Sequence, residues 1–522
     1  MLSAPLTAEG KARYEPGTRG RVCIVPVFSL YFSWILPVVL APLVPSRQGL
    51  LGQPVQAAER KFVPGGRRRY ARLMSGHCSS SSPELHAIPF PQPAFSRRRF
   101  LRSAALLSAA AGLPMVVPSS VLGADGRPAP SNRITVGCIG LGGMGNGNLD
   151  GFLGDPRCHV LAVNDVDRNA CENARKKVNS KYNNQDCAGY NDFRELVARD
   201  DIDVISMATP DHWHAVTAIA SARAGKDVYG EKPFSHDLRE GRAMVTAISQ
   251  YGRVWQTGSW QRSSGDFRFA CELVRNGRIG KVHTVEVGLP TGGPGGDAPF
   301  TDPPPQLDYD FWCGPSPWAP YSKDRTHWNW RWQMDYGGGQ LMDWIGHHGD
   351  IAQWGLGTEY TGPVEVNPIY AEFPKTGIWD AATRYRIECT YANGAKMILQ
   401  NAEGQHRMGA KWIGTDGWVW VDRGGFETSP KSLVKEKIRP EEINLYRSSN
   451  HISNFLDCVK SRRLTITPAE VAHRSASVGH LCVIAISLGR KFRWNPETEE
   501  VIGDASATAL LGRAKRDPWS IV

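Results

Sequence analysis

Apolar and polar positions between residues 134 and 260 predict strands and helices in turn. Ile134–Ile139 (ITVGCI), His159–Asn164 and Asp203–Ala208 are short, almost wholly apolar runs, the pattern of strands buried on both faces. Asp211 is placed to cap a helix over His212–Ala224 and Gly225 to end it, before a further strand over Asp227–Tyr229. Strand, helix, strand with short links predicts parallel pairing and right-handed crossovers. Past about Gln256 the period changes to two. Lys281–Gly288 alternates like a half-buried strand, and Arg384–Tyr391 and Lys396–Gln400 flank Asn393-Gly394, which predicts a hairpin with a primed turn. Lys411–Ile413 and Gly417–Val421 flank another short turn. Ile452, Phe455, Leu456 and Val459 share one helical face, and Thr467-Pro468 opens a last helix running to about Arg490.

The turn after the first strand carries Gly140, Gly142 and Gly145 in G-x-G-x-x-G spacing, with Met144 inside it. The first glycine permits a tight turn, the second lets backbone approach a pyrophosphate, and the third lets helix and strand pack closely. The second strand ends at Asp165, 20 residues after Gly145, the interval expected of an acid that accepts hydrogen bonds from the adenosine ribose. A carboxylate there repels a 2′-phosphate and favours NAD, while Arg168 nearby leaves NADP open. The fold class is therefore α/β: an N-terminal Rossmann dinucleotide-binding domain over residues 131–255, then an α+β domain with a large, mostly antiparallel sheet over residues 256–495, and a C-terminal tail over 496–522. Thr209-Pro210, at the carboxyl end of the third strand, and Glu231-Lys232-Pro233, at the end of the next, fall on the same edge as the glycines. The first pair, Glu231 and Lys232 are assigned to cofactor binding; Glu231 either orients Lys232 or bonds a ribose hydroxyl.

Net charge is +10 over 522 residues, but residues 1–124 hold 15 Lys and Arg against 4 Asp and Glu. The remaining chain is balanced at 46 against 47, so the folded body offers no polyanion surface and no nucleic-acid partner is expected. The basic leader contains Ser96-Arg97-Arg98-Arg99-Phe100-Leu101-Arg102, which matches a twin-arginine export signal; Ala104–Val117 supplies an apolar stretch and Val121–Ala124 a small-residue cleavage site. Residues 96–124 are thus expected to be a signal peptide and the mature protein to be periplasmic, without stable membrane insertion. Val22–Val44 is long enough to span a bilayer but holds Pro26, Pro37 and Pro42. Residues 1–95 are expected to be a poorly ordered or mis-assigned extension, the true start lying nearer Met74. The 11 cysteines form no C-x-x-C pair and are expected to be buried or idle thiols.

Seven of the 17 tryptophans (312, 318, 328, 330, 332, 344 and 354) fall between residues 312 and 354. Indole faces stack on the C–H faces of sugar rings, so the cluster, Trp330 included, points to a carbohydrate-like ligand; packing between domains or subunits is the alternative. Asp343 and His347 lie at i and i+4 within it, sharing a helical face. Gln261 and Arg262, at the start of the second domain, are further substrate-pocket candidates.

The tracts GLGGMG, AVNDVD (162–167), ATPDHWHA (208–215), GKDVYGEKP (225–233) and GGGQLMDWIGHHGDIAQW (337–354) appear in the order of the glucose–fructose oxidoreductase / inositol dehydrogenase / rhizopine catabolism (Gfo/Idh/MocA) family, which the chain resembles from about Asn132 to Arg490. The resemblance implies a two-domain NAD(P)-dependent oxidoreductase acting on a secondary hydroxyl of a sugar, cyclitol or glycoside. It implies that Lys232 bonds the reacting oxygen, that His347 exchanges the hydroxyl proton, and that Asp343 orients His347 or bonds a neighbouring hydroxyl. It also places His214 beside the nicotinamide, a hydrogen bond that stabilises the helix being the plainer role. The D-x-x-x-H-H-x-D run over Asp343–Asp350 looks like a metal site, yet no second His/Cys cluster supports one, the family usually works without metal, and none is expected. Two alternatives stand beside net dehydrogenation: an NAD-dependent glycosidase or lyase that oxidises a ring transiently, and a non-catalytic sugar-binding protein with a vestigial Rossmann fold. An exported enzyme has no outside pool of cofactor, so NAD is expected to be tightly bound, and a homo-oligomer is expected through the antiparallel sheet.

Overall fold

The computed structural model describes residues 132–521, so the twin-arginine stretch, the apolar runs and the rest of the leader lie outside the described residues. Six strands, β1 (Ile134–Ile139), β2 (Cys158–Asn164), β3 (Ala188–Tyr190), β4 (Val204–Met207), β5 (Asp227–Gly230) and β6 (Trp255–Thr257), pair in parallel in the order β3-β2-β1-β4-β5-β6. Their apolar residues are buried on both sides because helices cover both faces. Gly143–Gly154 and Arg168–Tyr182 pack on one; His214–Arg223 and Leu238–Gln250 pack on the other. The strand order reverses between β1 and β4, opening a crevice at their carboxyl ends where such folds bind ligands.

Asp211 is not a helix cap. It sits in a separate 3-10 turn, Asp211–Trp213, and the following helix begins at His214 with no side-chain cap. Thr209-Pro210 forces the chain through an extended turn first, which carries the Asp211 side chain inward, where its Oδ1 has no hydrogen-bond partner. Gly225 ends that helix as expected, with φ +79°.

The second sheet holds nine strands: β7 (Val282–Leu289), β8 (Glu365–Glu372), β9 (Arg384–Thr390), β10 (Lys396–Asn401), β11 (Gly409–Gly414), β12 (Trp418–Asp422), β13 (Gly425–Ser429), β14 (Phe492–Asn495) and β15 (Glu500–Ile502). Their order is β13-β12-β11-β7-β10-β9-β8-β14-β15, and every pair but β7–β10 is antiparallel. In β9, Tyr385, Ile387 and Cys389 enter the core while Arg384, Arg386 and Glu388 face the other way, the alternation the sequence predicts. The β9–β10 turn is not primed. Only Gly394 has positive φ (+86°), and Tyr391 closes a three-residue loop on Ala395, so the glycine takes the left-handed position of a bulged loop.

The chain also crosses between the two sheets more than a boundary at residue 256 suggests. The helix His451–Ser461 belongs to the first sheet: Phe455 stands edge-on to Phe152 and Tyr229, and a Cβ on Gly151 would run into Ile452. Truncating Phe455 to alanine would cost about 3–5 kcal/mol. The helix Ala469–Leu488 starts against the first core through Ala469, Ala472 and Ala476 and ends in the second through Leu481, Cys482 and Ala485. It is long and apolar enough to cross a membrane, but most of it is buried inside the protein. The segment after Asn495 is a strap rather than a loose tail. Lys515 pairs with Glu240, Arg516 with Asp310, and Trp519 packs on Trp213 and Phe311. The nine described cysteines are all buried and unpaired.

Candidate active site

A cavity of about 950 Å³ runs from the glycine loop to the start of the second sheet. At its first end the wall is mostly backbone. Gly140 has φ +79° and lies so close to Ala208 that a side chain has no room. A Cβ on Gly145 would collide with the Gly140 carbonyl, so the third glycine is required by the approach of helix to strand. At Gly142, by contrast, a Cβ would meet no protein atom within 4 Å; that side faces the cavity. The helix Gly143–Gly154 has no side-chain cap and no acid in its first turn, so its first N–H groups and its positive dipole end are open to an anion. Met144, Thr209 and Pro210 line the same stretch, and the buried Thr209 Oγ1 has no partner among the described residues. These features fit a dinucleotide, with the pyrophosphate at Gly142 and the helix N-terminus.

Asp165 lies in the cavity wall, and its carboxylate also shapes the loop. Oδ2 accepts from the Leu141 N–H at 2.7 Å and Oδ1 from the Asp167 N–H at 2.8 Å. Burial pushes its pKa up, against the pull of those two bonds. Arg168 turns away to donate to the Pro305 carbonyl, in a neighbouring cleft. Segment 305–308 is itself tied down here, the Arg168 and Asp308 N–H groups bonding the Gln306 and Val166 carbonyls. Glu231, fully buried, accepts from Asn148 Nδ2 at 2.9 Å and braces the strand end against the helix of the glycine loop; it also accepts a bond from the Lys232 backbone and attracts the Lys232 charge.

At the other end the wall is charged and aromatic. Lys232 Nζ donates to the Asp343 carbonyl and to Asp343 Oδ1, both at 2.8 Å. Arg331 Nε reaches the same oxygen at 3.2 Å, its guanidinium lying 4.0 Å over Trp328 and 4.4 Å over Trp330. Burial pushes the Asp343 carboxyl up, but Lys232 and Arg331 outweigh it and hold the group below the usual carboxylate range. His347 makes no bond to Asp343. The chain passes from an α-helix, Gly339–Trp344, into a π-helical turn, Ile345–Gly349, between the two, and Asp343 is drawn to the lysine and arginine instead. The π turn brings Gly346 against Lys232, where a Cβ would lie 2.8 Å from Lys232 Cβ, and Ser259 Oγ holds the Gly346 carbonyl at 2.6 Å. His347 stands edge-on to Trp344 at 5.4 Å with its Nδ1 unpartnered. Burial first, then Lys232 and Arg423, lower its pKa well below 6.5 and keep the imidazole neutral.

Three expected residues are not in this wall. Arg262 forms a buried fork with Asp350 (2.6 and 2.8 Å) and stacks over Trp354. Gln261 is buried beside His348. Arg262 at the start of the second domain thus serves packing, because Asp350, which opens the helix Asp350–Leu356, neutralises it. His214 bridges the Pro233 and Thr209 carbonyls at 2.7 and 3.0 Å; it pins two strand ends together and does not line the cavity. The D-x-x-x-H-H-x-D run is dispersed: Asp343 faces Lys232, His348 faces Asp422 and Asp350 faces Arg262. Of the seven clustered tryptophans, Trp312, Trp328, Trp330 and Trp344 reach the cavity. Trp260, Arg331 and Arg423 line it without having been anticipated. Arg331 had a signal, being set between Trp330 and Trp332; Arg423, in the β12–β13 turn, had none.

Two family models match the chain: the oxidoreductase family NAD-binding Rossmann fold over residues 134–259, and the oxidoreductase family C-terminal alpha/beta domain over residues 296–521. A glycosyl hydrolase family 109 protein of Saccharopolyspora erythraea is 36% identical over 209 residues, 36% of this chain and 44% of that protein. Myo-inositol 2-dehydrogenase of Thermotoga maritima is 24% identical over 273 residues, 51% of this chain and 68% of its own. Among solved structures, aldose–aldose oxidoreductase from Caulobacter crescentus shares the fold, with TM-score 0.51 and 20% identity over 69% of this chain and 99% of that one.

Proposed function

Because the chain belongs to the Gfo/Idh/MocA oxidoreductase family, we propose that it oxidises or reduces a secondary carbinol of a sugar, cyclitol or glycoside with NAD. The observation that carries this is the convergence of Lys232, Asp343 and His347 on one wall of a cavity whose other end is the glycine loop. When bound, the dinucleotide supplies the hydride acceptor. Two of the three Lys232 donors are spent on Asp343, which leaves the third for the reacting oxygen. Asp343 uses Oδ1 on Lys232 and Arg331, leaving Oδ2 to accept from a neighbouring hydroxyl. The neutral His347 takes the proton from the hydroxyl oxygen as a hydride leaves the carbon that bears it, giving a ketone, and returns the proton in the reverse direction. Trp328, Trp330 and Trp344 offer apolar faces for the ring.

Deuterium placed on the ring carbons of a panel of pyranosides and inositols tests this. Label lost to the cofactor in wild-type protein, and retained with His347→Ala, is the expected result; loss that persists in the variant removes His347 from the reaction.

The relation to a family 109 glycosyl hydrolase favours a second reading on the same residues. Oxidation of the ring carbon two positions from the anomeric carbon acidifies the C–H between them, β-elimination expels the aglycone, water adds at the anomeric carbon, and the hydride returns to the ketone. Aglycone release without net NADH would select it. Export by the twin-arginine route, and retention of the cofactor through many turnovers, belong to the same proposal; the docked segment 305–308 over the Val166–Asp167 turn supports retention. Mass spectrometry of denatured protein, which should release stoichiometric NAD, tests it. A homo-oligomer through the open face of the second sheet, where Tyr370 is exposed opposite Arg386, completes the proposal, with light scattering as its measurement.

A further inference from the structure

The reactive end of the cavity carries more positive charge than its own carboxylate can balance. Lys232, Arg331 and Arg423 line it, and Asp343 serves both Lys232 and Arg331. The other acids of the cavity are engaged elsewhere: Glu231 is fixed to Asn148, and Asp165 and Asp167 stand at the adenosine end, holding backbone N–H groups. Arg423 has no acid bonded to its guanidinium among the described residues. Its guanidinium lies 4.8 Å over Trp260 and 4.5 Å over Trp344, and among the described residues it makes no side-chain hydrogen bond or ion pair. The adjacent Asp422, like Asp343, attracts it through charge, but neither bonds the guanidinium: the Asp422 carboxylate faces His348 at 3.4 Å and accepts the Arg423 backbone N–H at 2.7 Å.

Indoles pack over the guanidinium, so its unspent hydrogen-bonding capacity is at the planar N–H edge. A guanidinium edge matches a carboxylate or phosphate through two parallel hydrogen bonds, which a neutral hydroxyl cannot equal. Its position at Trp344 puts it beside His347, the residue that handles the hydroxyl proton, and far along the cavity from the glycine loop that suits the pyrophosphate. Resting on the oxidoreductase reading for what the cavity holds, we propose that the substrate is a sugar or cyclitol ring bearing an anionic group, a carboxylate or a phosphate ester, and that Arg423 is the residue that selects for that charge.

The test measures binding, not turnover, so it stands apart from the oxidoreductase reading. NADH-loaded wild-type protein and Arg423→Gln are titrated calorimetrically with D-glucuronate, D-galacturonate, D-glucose 6-phosphate and D-galactose 6-phosphate, and with the neutral parents D-glucose and D-galactose. Wild type should bind a charged ring at least tenfold more tightly than its parent, and the uronates and phosphates show which anion it is. Arg423→Gln should lower that charged-to-neutral ratio at least tenfold, and Arg423→Lys should restore part of it. If Arg423 is only a clip between two indoles, both variants weaken charged and neutral rings alike and the ratio stays put, which overturns the proposal. Neutral rings that bind wild type as tightly as charged ones also overturn it. A preserved ratio preference in a protein that exchanges hydride with no sugar would overturn the oxidoreductase reading instead, and leave charge selection standing.

Discussion

The glycine-loop end of the cavity is built mostly from the backbone of Gly140, Gly142, Gly143 and Met144 and from Ala208, Thr209 and Pro210, whereas the reactive end is built from Lys232, Trp330, Arg331, Asp343, His347 and Arg423, long or charged side chains from separate stretches of chain. Backbone at a helix N-terminus presents fixed partial charges that need no partner. Side-chain charge has to be balanced by other side chains, and at the reactive end the balance is incomplete. Binding and chemistry are therefore separable here: the first end should respond to added volume, the second to removed charge.

The largest effect should come from Lys232→Ala. The variant loses the donor to the reacting oxygen and leaves Asp343 with Arg331 alone, so hydride exchange should fall by about 10³-fold. NAD content by mass spectrometry should stay at the wild-type level. Loss of NAD together with activity would mean that the two ends are not separable.

Arg262→Gln comes next and reads stability rather than chemistry. The Arg262–Asp350 pair is fully buried, and Ser475 Oγ adds a bond to Asp350 at 2.7 Å. Removing one partner strands a buried charge and should cost about 3–5 kcal/mol. Denaturant titration should show that loss, while the KM for the ring changes little in the protein that remains folded. A large KM change at wild-type stability would return Arg262 to the substrate pocket.

The same contrast explains what could be read in the sequence. Gly140, Gly142 and Gly145 were legible because their roles are local: each is set by its own φ or by the nearest strand and helix. The β9 alternation was legible because period two is a property of one strand. The turn at Asn393-Gly394 misled because a primed turn needs positive φ at both central residues, and only Gly394 has it. The apolar face of the helix His451–Ser461 was visible in the sequence, but its target, Phe152 on the helix Gly143–Gly154 and Tyr229 on β5, is some 200–300 residues earlier in the chain. Arg262 looked free because nothing beside it is acidic, while Asp350 arrives from another helix. Arg423 reaches the site from a hairpin turn, and no spacing links it to Lys232 or His347.

Gly142→Ala probes the backbone end. The added Cβ meets no protein atom within 4 Å, so the thermal midpoint of NAD-free protein should be unchanged. The methyl points to where a pyrophosphate approaches, and affinity for NAD should fall roughly ten- to a hundredfold, about 1.4–2.8 kcal/mol. Equal NAD affinity in the variant would move the pyrophosphate away from Gly142. Gly145→Ala is the contrasting case, since its Cβ strikes the Gly140 carbonyl and should lower stability as well.

The smallest effect concerns the proton. The pKa of His347 is held down by burial first, then by the positive charges of Lys232 and Arg423. A depressed pKa means the imidazole is neutral, and able to take a proton, at all pH values above it; oxidation should fail only as pH drops through that low value. Arg423→Gln removes one of the charges that oppose protonation, so the pKa rises toward 6.5 and the acid limb moves to higher pH. Arg423 is the lesser of the two charges, and Coulomb energy across a partly solvated site is weak, so the loss of rate at any one pH should stay under about tenfold. The profile of kcat/KM against pH, measured with a neutral ring so that anion binding does not enter, reports it. A limb that stays in place, or moves to lower pH, would show that the titrating group is not His347 or that Arg423 does not reach it.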